Sequence, residues 1–429
     1  MTNLRAVVAV RDFRRLFTVR LAGQFADGLF QAALATFVLF SPERQPTAAS
    51  VAGAFAVLFL PYSLIGPFAG VFLDEWRRRQ VLVYANLLRA VLIIGVAMLV
   101  AARHDGLSLA IIVLVVLGVG RFVLAGVAAS LPHVVDGPLL VTANALTPTA
   151  GTLAAAVGGI VGIGIRALVG GGDTGSVVVL ACAMVSYVLA GLVAATLAKD
   201  RLGPDEDTVR NSLIGVLQGL GDGFRQLFLH PVAGRAVVVV IIQRVAFGAL
   251  TVLGLLLIRN TLNASDNPDA ALGQFALVTG AAALGALLGA VLTPGRVRRM
   301  GYVSWTVIAV AQAAPLVAAG MLLGSLGETL WPILIAALSL GFANQSAKVA
   351  SDTLIQREIN DDYLGRVFAL FDVAVNVALV LGIIGVAFTS PESGVAPGVI
   401  VAVGLLIAAN AAWYRSRGRQ MSDGSGVQG

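Results

Sequence analysis

Asp27 is a carboxylate set inside an apolar run that begins near Leu16 and continues to about Phe40. On a helix started at Leu16 it stands roughly 16 Å along the axis, close to mid-membrane if the run crosses a bilayer. Gln24, Gly28 and Gln31 flank it and form a polar stripe. A stripe of this kind should face an aqueous cavity rather than lipid, because charge inside a membrane is costly unless used or held in a structural pair. A carboxylate there can bind and release a proton as its surroundings alternate between dry and wet, since desolvation favours the neutral acid and water or a nearby cation favours the ion. Asp372 offers the same chemistry in a later run, with Asn376 one turn on along the same helical face. Gln243 and Arg244 fall where Gln24 falls in the first run, and can line an opposing wall. Lys348 and Asp352, four apart near a helix end, read as a local ion pair.

The elements that must position these residues are helices in lipid. Of 429 residues, 58% are hydrophobic and 12% charged, against roughly a quarter charged in an ordinary soluble domain. Runs of about 20 apolar residues, enough to cross roughly 30 Å as a helix, recur along the chain. They lie at Leu16 to Phe40, Ser50 to Leu73, Gln80 to Ala102, Leu107 to Leu131, Leu139 to Ile165 and Ser176 to Ala198. A second set lies at Ala236 to Ile258, Ala270 to Leu292, Val303 to Leu323, Leu330 to Ala350, Leu364 to Ala387 and Val395 to Trp413. The expected fold is an all-α membrane protein of twelve transmembrane helices in two six-helix bundles. The bundles occupy residues 1–198 and 236–414, with a linker at 199–235 and a tail at 415–429. The first run is too long for a signal-peptide core and should remain as a spanning helix.

The linker opens with Lys-Asp-Arg-Leu-Gly-Pro-Asp-Glu-Asp from Lys199, the most polar stretch in the chain. From Thr208 to Phe228, Val209, Leu213, Val216, Leu220, Phe224 and Leu227 share one helical face. That face either lies on the cytoplasmic membrane surface or packs on a bundle. Lys and Arg gather on the side that holds the N-terminus, in Arg77, Arg78 and Arg79, in Arg296, Arg298 and Arg299, and in Arg415, Arg417 and Arg419. The opposite side carries Arg44, Arg103, Arg166 and Arg259. Both ends are therefore expected in the cytoplasm, in a multi-pass protein of the inner (plasma) membrane. The net charge of +6 belongs to these loops facing anionic lipid, so no nucleic-acid partner is expected. One cysteine and three scattered histidines argue against thiol, zinc or metal chemistry. No Gly-x-x-x-x-Gly-Lys loop is present, so ATP is not the expected energy source. The chain does not read as an enzyme, and a non-transporting scaffold or sensor finds no added domain to support it.

Gly70-Val-Phe-Leu-Asp74-Glu-Trp-Arg77-Arg78-Arg79 and Gly289-Ala-Val-Leu-Thr293-Pro-Gly-Arg296-Val-Arg298 align at one constant offset, each after the second helix of its half. A duplicated six-helix unit explains the match, and two such bundles make a transporter plan. The first of these stretches also resembles the signature loop of the major facilitator superfamily, where a glycine precedes an aspartate by four residues and a basic cluster follows. Phe13-Arg14-Arg15-Leu16, Gly23-Gln24-Phe25-Ala26-Asp27-Gly28 and Asp362-Tyr-Leu-Gly365-Arg366-Val-Phe are similar to the drug and macrolide efflux branch of that superfamily.

This resemblance implies alternating access between two pseudo-symmetric bundles. It also implies that Gly70, Asp74, Arg77, Arg78 and Arg79 form a conformational latch with the helix start near Arg366. With Thr293 in place of an acid in the second half, the latch would be one-sided. The resemblance also places the third helix outside the cavity, which makes Arg89 structural. Arg121, within Gly118-Val-Gly120-Arg121, is similar to the membrane arginine of efflux members and would pair with Asp27; the other reading has it snorkel to the interface. The fifth run, with Asn144, Pro148, Gly151, Gly158, Gly159, Gly162 and Gly164, loosely resembles a glycine-rich antiporter motif but lacks its central Gly-Pro pair. A smooth face for packing on the facing helix of the other half is the plainer reading. The implied activity is proton-coupled export of a small hydrophobic or amphipathic compound by a monomer, with the proton gradient in place of a cofactor. The alternative is uptake or export of a defined metabolite, siderophore or lysolipid.

Overall fold

The computed structural model describes residues 2–35, 53, 76–104, 106–135, 137–170, 172–199, 201–203, 213–263 and 268–424. These are helical throughout, joined by short turns, and no strand occurs among them. The helices are α1 (Thr2–Ala9), α2 (Arg11–Leu34), α3 (Arg78–Ala101), α4 (Leu107–Val134), α5 (Gly137–Val169), α6 (Gly172–Ala195) and α7 (Leu213–Leu229). There follow α8 (Pro231–Leu257, extended by a π turn at Ile258–Leu262), α9 (Pro268–Met300), α10 (Tyr302–Ala311), α11 (Ala313–Leu326), α12 (Leu330–Glu358), α13 (Asp361–Thr389) and α14 (Pro397–Gly424). A helix satisfies every backbone donor and acceptor within itself, which is what a lipid environment demands. Among the described residues, ten helices are long and apolar enough to cross a membrane, α10 and α11 forming one of them. Of the other two expected spans, the first is carried by α2, which is not one of the ten, with its residues 36–40 outside the described residues, and the second, with Gly70 and Asp74, lies outside them apart from Gly53.

Several helices outrun the spans expected from hydropathy. α9 continues past Leu292 to Met300 and carries Arg296, Arg298 and Arg299 on its last turns, and α14 continues past Trp413 to Gly424. Hydropathy registers only the part of a helix that sits in lipid, whereas the hydrogen-bond ladder extends into the aqueous phase.

The described residues fall into two compact units that meet in sequence between Val216 and Leu217. In the first, α2 packs against α5 and α6, and α3 against α6. Backbone contact between α2 and α5 is close enough that a Cβ on Gly28 would collide with the Ala155 carbonyl, and one on Gly158 with the Phe25 carbonyl. Small residues permit this approach, and dispersion across the tight seam replaces the hydrophobic drive that lipid does not supply. The glycine face of α5 thus rests on α2 of its own unit, where the sequence reading had expected a helix of the other half. At one end of the unit, Phe13, Leu16, Leu82, Val127 and Leu131 close a buried core, with the rings of Phe13 and Phe17 stacked 5.5 Å apart.

The second unit repeats the device. A Cβ on Gly248 would strike the Leu379 carbonyl and one on Gly382 the Val245 carbonyl, which seats α8 against α13; Gly285 and Gly341 do the same for α9 and α12. The linker helix α7 belongs to this unit and packs on the start of α13, where Gly223 meets the Arg366 carbonyl.

Candidate functional site

Three helices of the first unit bring polar side chains to one point. Asp27 comes from α2, Arg89 from α3 and Tyr187 from α6. Arg89 forms an ion pair with the Asp27 carboxylate, its side chain almost fully buried and that of Asp27 15% exposed. Arg89 also donates to the Tyr187 hydroxyl at 2.7 Å, and that hydroxyl donates to Asp27 Oδ1 at 2.7 Å. The guanidinium carbon lies 4.0 Å from the centre of the Tyr187 ring, a cation–π distance. Tyr187 is fully buried. Gly120 of α4 makes room for the arginine, since a Cβ there would lie 3.1 Å from Arg89 Nη2.

This arrangement corrects the expected pairing. The cation paired with Asp27 is Arg89 rather than the expected Arg121, and a buried ion pair within one unit agrees with a structural part for Arg89. Arg121 is half-buried on α4, one residue beyond the glycine that accommodates Arg89. The sequence did hold a signal for the true partner. Arg89 stands roughly 16 Å along α3 from Arg78, the same depth as Asp27 from Leu16, and a mid-span arginine needs a mid-span acid.

The other candidates are more dispersed. Gln24 is half-buried beside Gly151, where a Cβ would collide with the Gln24 amide oxygen, and Gln31 is exposed. Asn144 lies in α5. In the second unit, Arg244 of α8 lies within electrostatic reach of Asp372 of α13, so the membrane acid and base of this half are also neighbours. Asn376 donates to the Asp372 backbone carbonyl at 2.8 Å. Gln243 is fully buried and neither atom of its amide has a partner among the described residues. Lys348 and Asp352 form the expected local pair at 2.9 Å, and the Lys348 ammonium lies 5.1 Å from the Phe371 ring centre.

Among the basic residues expected in a latch, Arg78, Arg79 and Arg366 have partners within their own units, while Gly70 and Asp74 lie outside the described residues. Arg77 precedes α3 and is exposed, while Arg78 is buried and donates to the carbonyls of Ala129 at 2.9 Å and Leu202 at 3.2 Å. Arg79 donates to the Ala195 carbonyl at 2.7 Å. Ala195 closes α6, where carbonyls lack intrahelical donors, and the arginine supplies one. Arg366 pairs with Asp222 of α7 at 2.9 Å, a carboxylate that the sequence reading overlooked because it sits in the linker. Thr293, at the position of Asp74 in the repeat, is buried; it donates to the Gly289 carbonyl at 2.6 Å and accepts from the Trp305 indole at 2.9 Å.

Most of the helical part of the chain is recognised by comparison with known proteins. A family model described as the Major Facilitator Superfamily matches residues 19–383. The chain belongs to the major facilitator superfamily. Two relatives, each an uncharacterized MFS-type transporter, come from Mycobacterium bovis and Mycobacterium tuberculosis. Each is 37% identical over 397 residues, covering 92% of this chain and 88% of the relative. Among solved structures, the nucleoside transporter NupG is similar with a TM-score of 0.68 at 14% identity, over 94% of this chain and 98% of that one. A bacterial homologue of the iron transporter ferroportin, in an inward-facing state, has a TM-score of 0.62 at 17% identity, over 94% of this chain and 98% of that one. At these identities the likeness speaks for the fold.

Membership of this superfamily makes the chain a multi-pass membrane protein and a secondary transporter that works by alternating access, in a family of transporters rather than enzymes.

Proposed function

We propose that this transporter exports a small hydrophobic or amphipathic compound in exchange for protons, across the plasma membrane and with both ends of the chain in the cytoplasm, as members of the drug and macrolide efflux branch do. The observation that supports coupling is the cluster of Asp27, Arg89 and Tyr187. Arg89 has two oxygen partners and a ring face, and only the Asp27 carboxylate changes charge when a proton arrives. Protonation of Asp27 would break a charge-assisted contact while leaving the cation on the Tyr187 oxygen and ring. That retained partner lowers the cost of neutralising the acid, because an arginine left with nothing in a buried site is strongly unfavourable. A site that can lose and regain one contact without losing its cation is suited to proton exchange.

The preponderance of Leu, Val and Phe in the helices suits a substrate held by shape and apolar contact. One observation favours the second reading, a defined metabolite, siderophore or lysolipid. The buried, unpartnered amide of Gln243 suits a ligand with a matching donor and acceptor. The test is efflux of ethidium and rhodamine 6G from cells overexpressing the chain, combined with dye-reported proton movement in inverted vesicles. Lowered accumulation, with proton release from vesicles on adding the same compound, is expected for the wild type, and Asp27→Asn should lose the proton signal while still inserting. If neither dye is exported and a proton gradient drives no counterflow, the export reading fails. Normal coupled transport by Asp27→Asn would remove that residue from the mechanism.

A further inference from the structure

In the second unit, α7, α8, α13 and α14 together line a groove of about 400 Å³. Its walls are apolar: Phe224 and Phe228 from α7, Val238 and Ile241 from α8, Phe371 from α13 and Trp413 from α14. The only charged residue among those lining it is Arg235. The volume lies within the usual range for a small-molecule site, about 300–1,000 Å³. The groove also opens outward. Phe228 is 73% exposed, Phe224 57% and Val238 38%.

Its depth identifies its surroundings. The stretch of α8 long and apolar enough to cross a membrane begins at Pro231 and that of α14 ends at Arg417, which puts Arg235 and Trp413 within about two turns of the ends of those stretches, the depth expected for the boundary between headgroups and acyl chains. From Arg235 to Ile241 the groove runs roughly 9 Å along α8 into the apolar layer. Tryptophan and arginine are the residues that settle at this boundary, the indole with one edge wet and the guanidinium reaching back to phosphate. Arg235 donates to the Arg417 backbone carbonyl at 3.1 Å, which fixes its direction at the rim. The acid on α7, Asp222, is engaged by Arg366 at 2.9 Å.

We propose that this groove binds an anionic phospholipid of the surrounding bilayer. One acyl chain lies along Val238, Ile241 and Phe371 under the cover of Phe224 and Phe228, and the phosphate sits at Arg235. The proposal depends on the chain being a membrane protein and not on the direction or coupling of transport. A site that fastens α7 to α8 and α13 through lipid would let membrane composition act on the linker helix.

The test is native mass spectrometry of the full chain in detergent, titrated with dioleoylphosphatidylglycerol or dioleoylphosphatidylcholine. One arginine near an anionic headgroup contributes about 1 kcal/mol, roughly a fivefold preference. The wild type should therefore retain the anionic lipid about fivefold better. Arg235→Gln should erase the preference, and Val238→Trp, which fills the groove, should weaken both lipids. Equal retention of the two lipids by the wild type, or a preference that survives Arg235→Gln, overturns the assignment. So does a Val238→Trp variant that keeps its lipid but no longer exports the dyes, since the groove would then be a substrate portal. Should a groove variant not fold, quenching of tryptophan fluorescence by brominated lipids, compared between wild type and Trp413→Phe, reads the same place. The emission lost with Trp413 should be quenched more by the phosphatidylglycerol than by the phosphatidylcholine, and equal quenching refutes the site.

Discussion

Arg89 and Asp27 form an ion pair between α3 and α2, and Tyr187 of α6 touches both partners. Removing the cation leaves a carboxylate in apolar surroundings, and breaking such a pair costs roughly 3–5 kcal/mol, with the exposure of Asp27 placing it toward the lower end. Arg89→Gln should therefore unfold at a clearly lower temperature than the wild type in detergent. Tyr187→Phe removes one hydroxyl but keeps the ring, and should lose about 1.5–3 kcal/mol. The double variant Asp27→Asn/Arg89→Gln should recover part of the loss, because it no longer buries an unpaired charge. A wild-type melting curve for Arg89→Gln would show that the pair does not hold these helices together.

The seam between α2 and α5 should be equally sensitive to volume. Gly28→Ala places a methyl group on the Ala155 carbonyl, and Gly158→Ala places one on the Phe25 carbonyl. Overpacking of this kind costs about 1–3 kcal/mol. Gly164→Ala, where the added carbon meets nothing within 4 Å, should be neutral or gain up to about 1 kcal/mol from helix propensity. Melting temperatures of the three variants in detergent decide the point, and equal values for Gly28→Ala and Gly164→Ala would contradict the close approach.

Much of this architecture was legible in the sequence, and the reasons for the rest are physical. Spans could be read because an apolar run of fixed length is the condition for crossing lipid, and Asp27 stood out because a mid-span carboxylate is costly unless used. Its partner could not be read from proximity in the chain, since Arg89 meets it only through the packing of α3 on α6 and of α6 on α2. The resemblance to a family pointed to Arg121 instead, and masked the simple match in depth between Arg89 and Asp27. The glycines of α5 announced close packing but not its partner, because small residues fit any backbone. Asp222 was overlooked since a polar linker offers many acids and no period singles one out.

The clasp between α7 and α13 has two parts of unequal weight. Asp222 and Arg366 are about half-exposed, at 49% and 48%, and exposed pairs contribute about 0.2–1 kcal/mol. Gly223, by contrast, is buried, and a Cβ there would lie 2.8 Å from the Arg366 carbonyl. Backbone fit should therefore dominate. Asp222→Asn should leave protease cleavage within the linker nearly unchanged, whereas Gly223→Val should accelerate it severalfold by lifting α7 from α13. The reverse order would mean that charge, not shape, seats the linker helix.

Gln243 separates stability from function more sharply than any other position. The side chain is fully buried in α8 and both amide atoms lack partners among the described residues. A buried polar group without a partner costs about 1–3 kcal/mol, and an apolar group of similar shape relieves that cost. Gln243→Leu should therefore melt at the same temperature as the wild type or higher. A protein that keeps such a group against its own stability has a use for it in another state of the access cycle. The same offset that aligns Gly70 with Gly289 aligns Gln24 with Gln243, so each unit carries a glutamine at the same place on its first helix. Transport should fall at least tenfold in Gln243→Leu if the amide meets the substrate or a partner during turnover. A lowered melting temperature would show instead that the amide is satisfied in the resting protein, and full transport by a stable variant would deny it a role in the cycle.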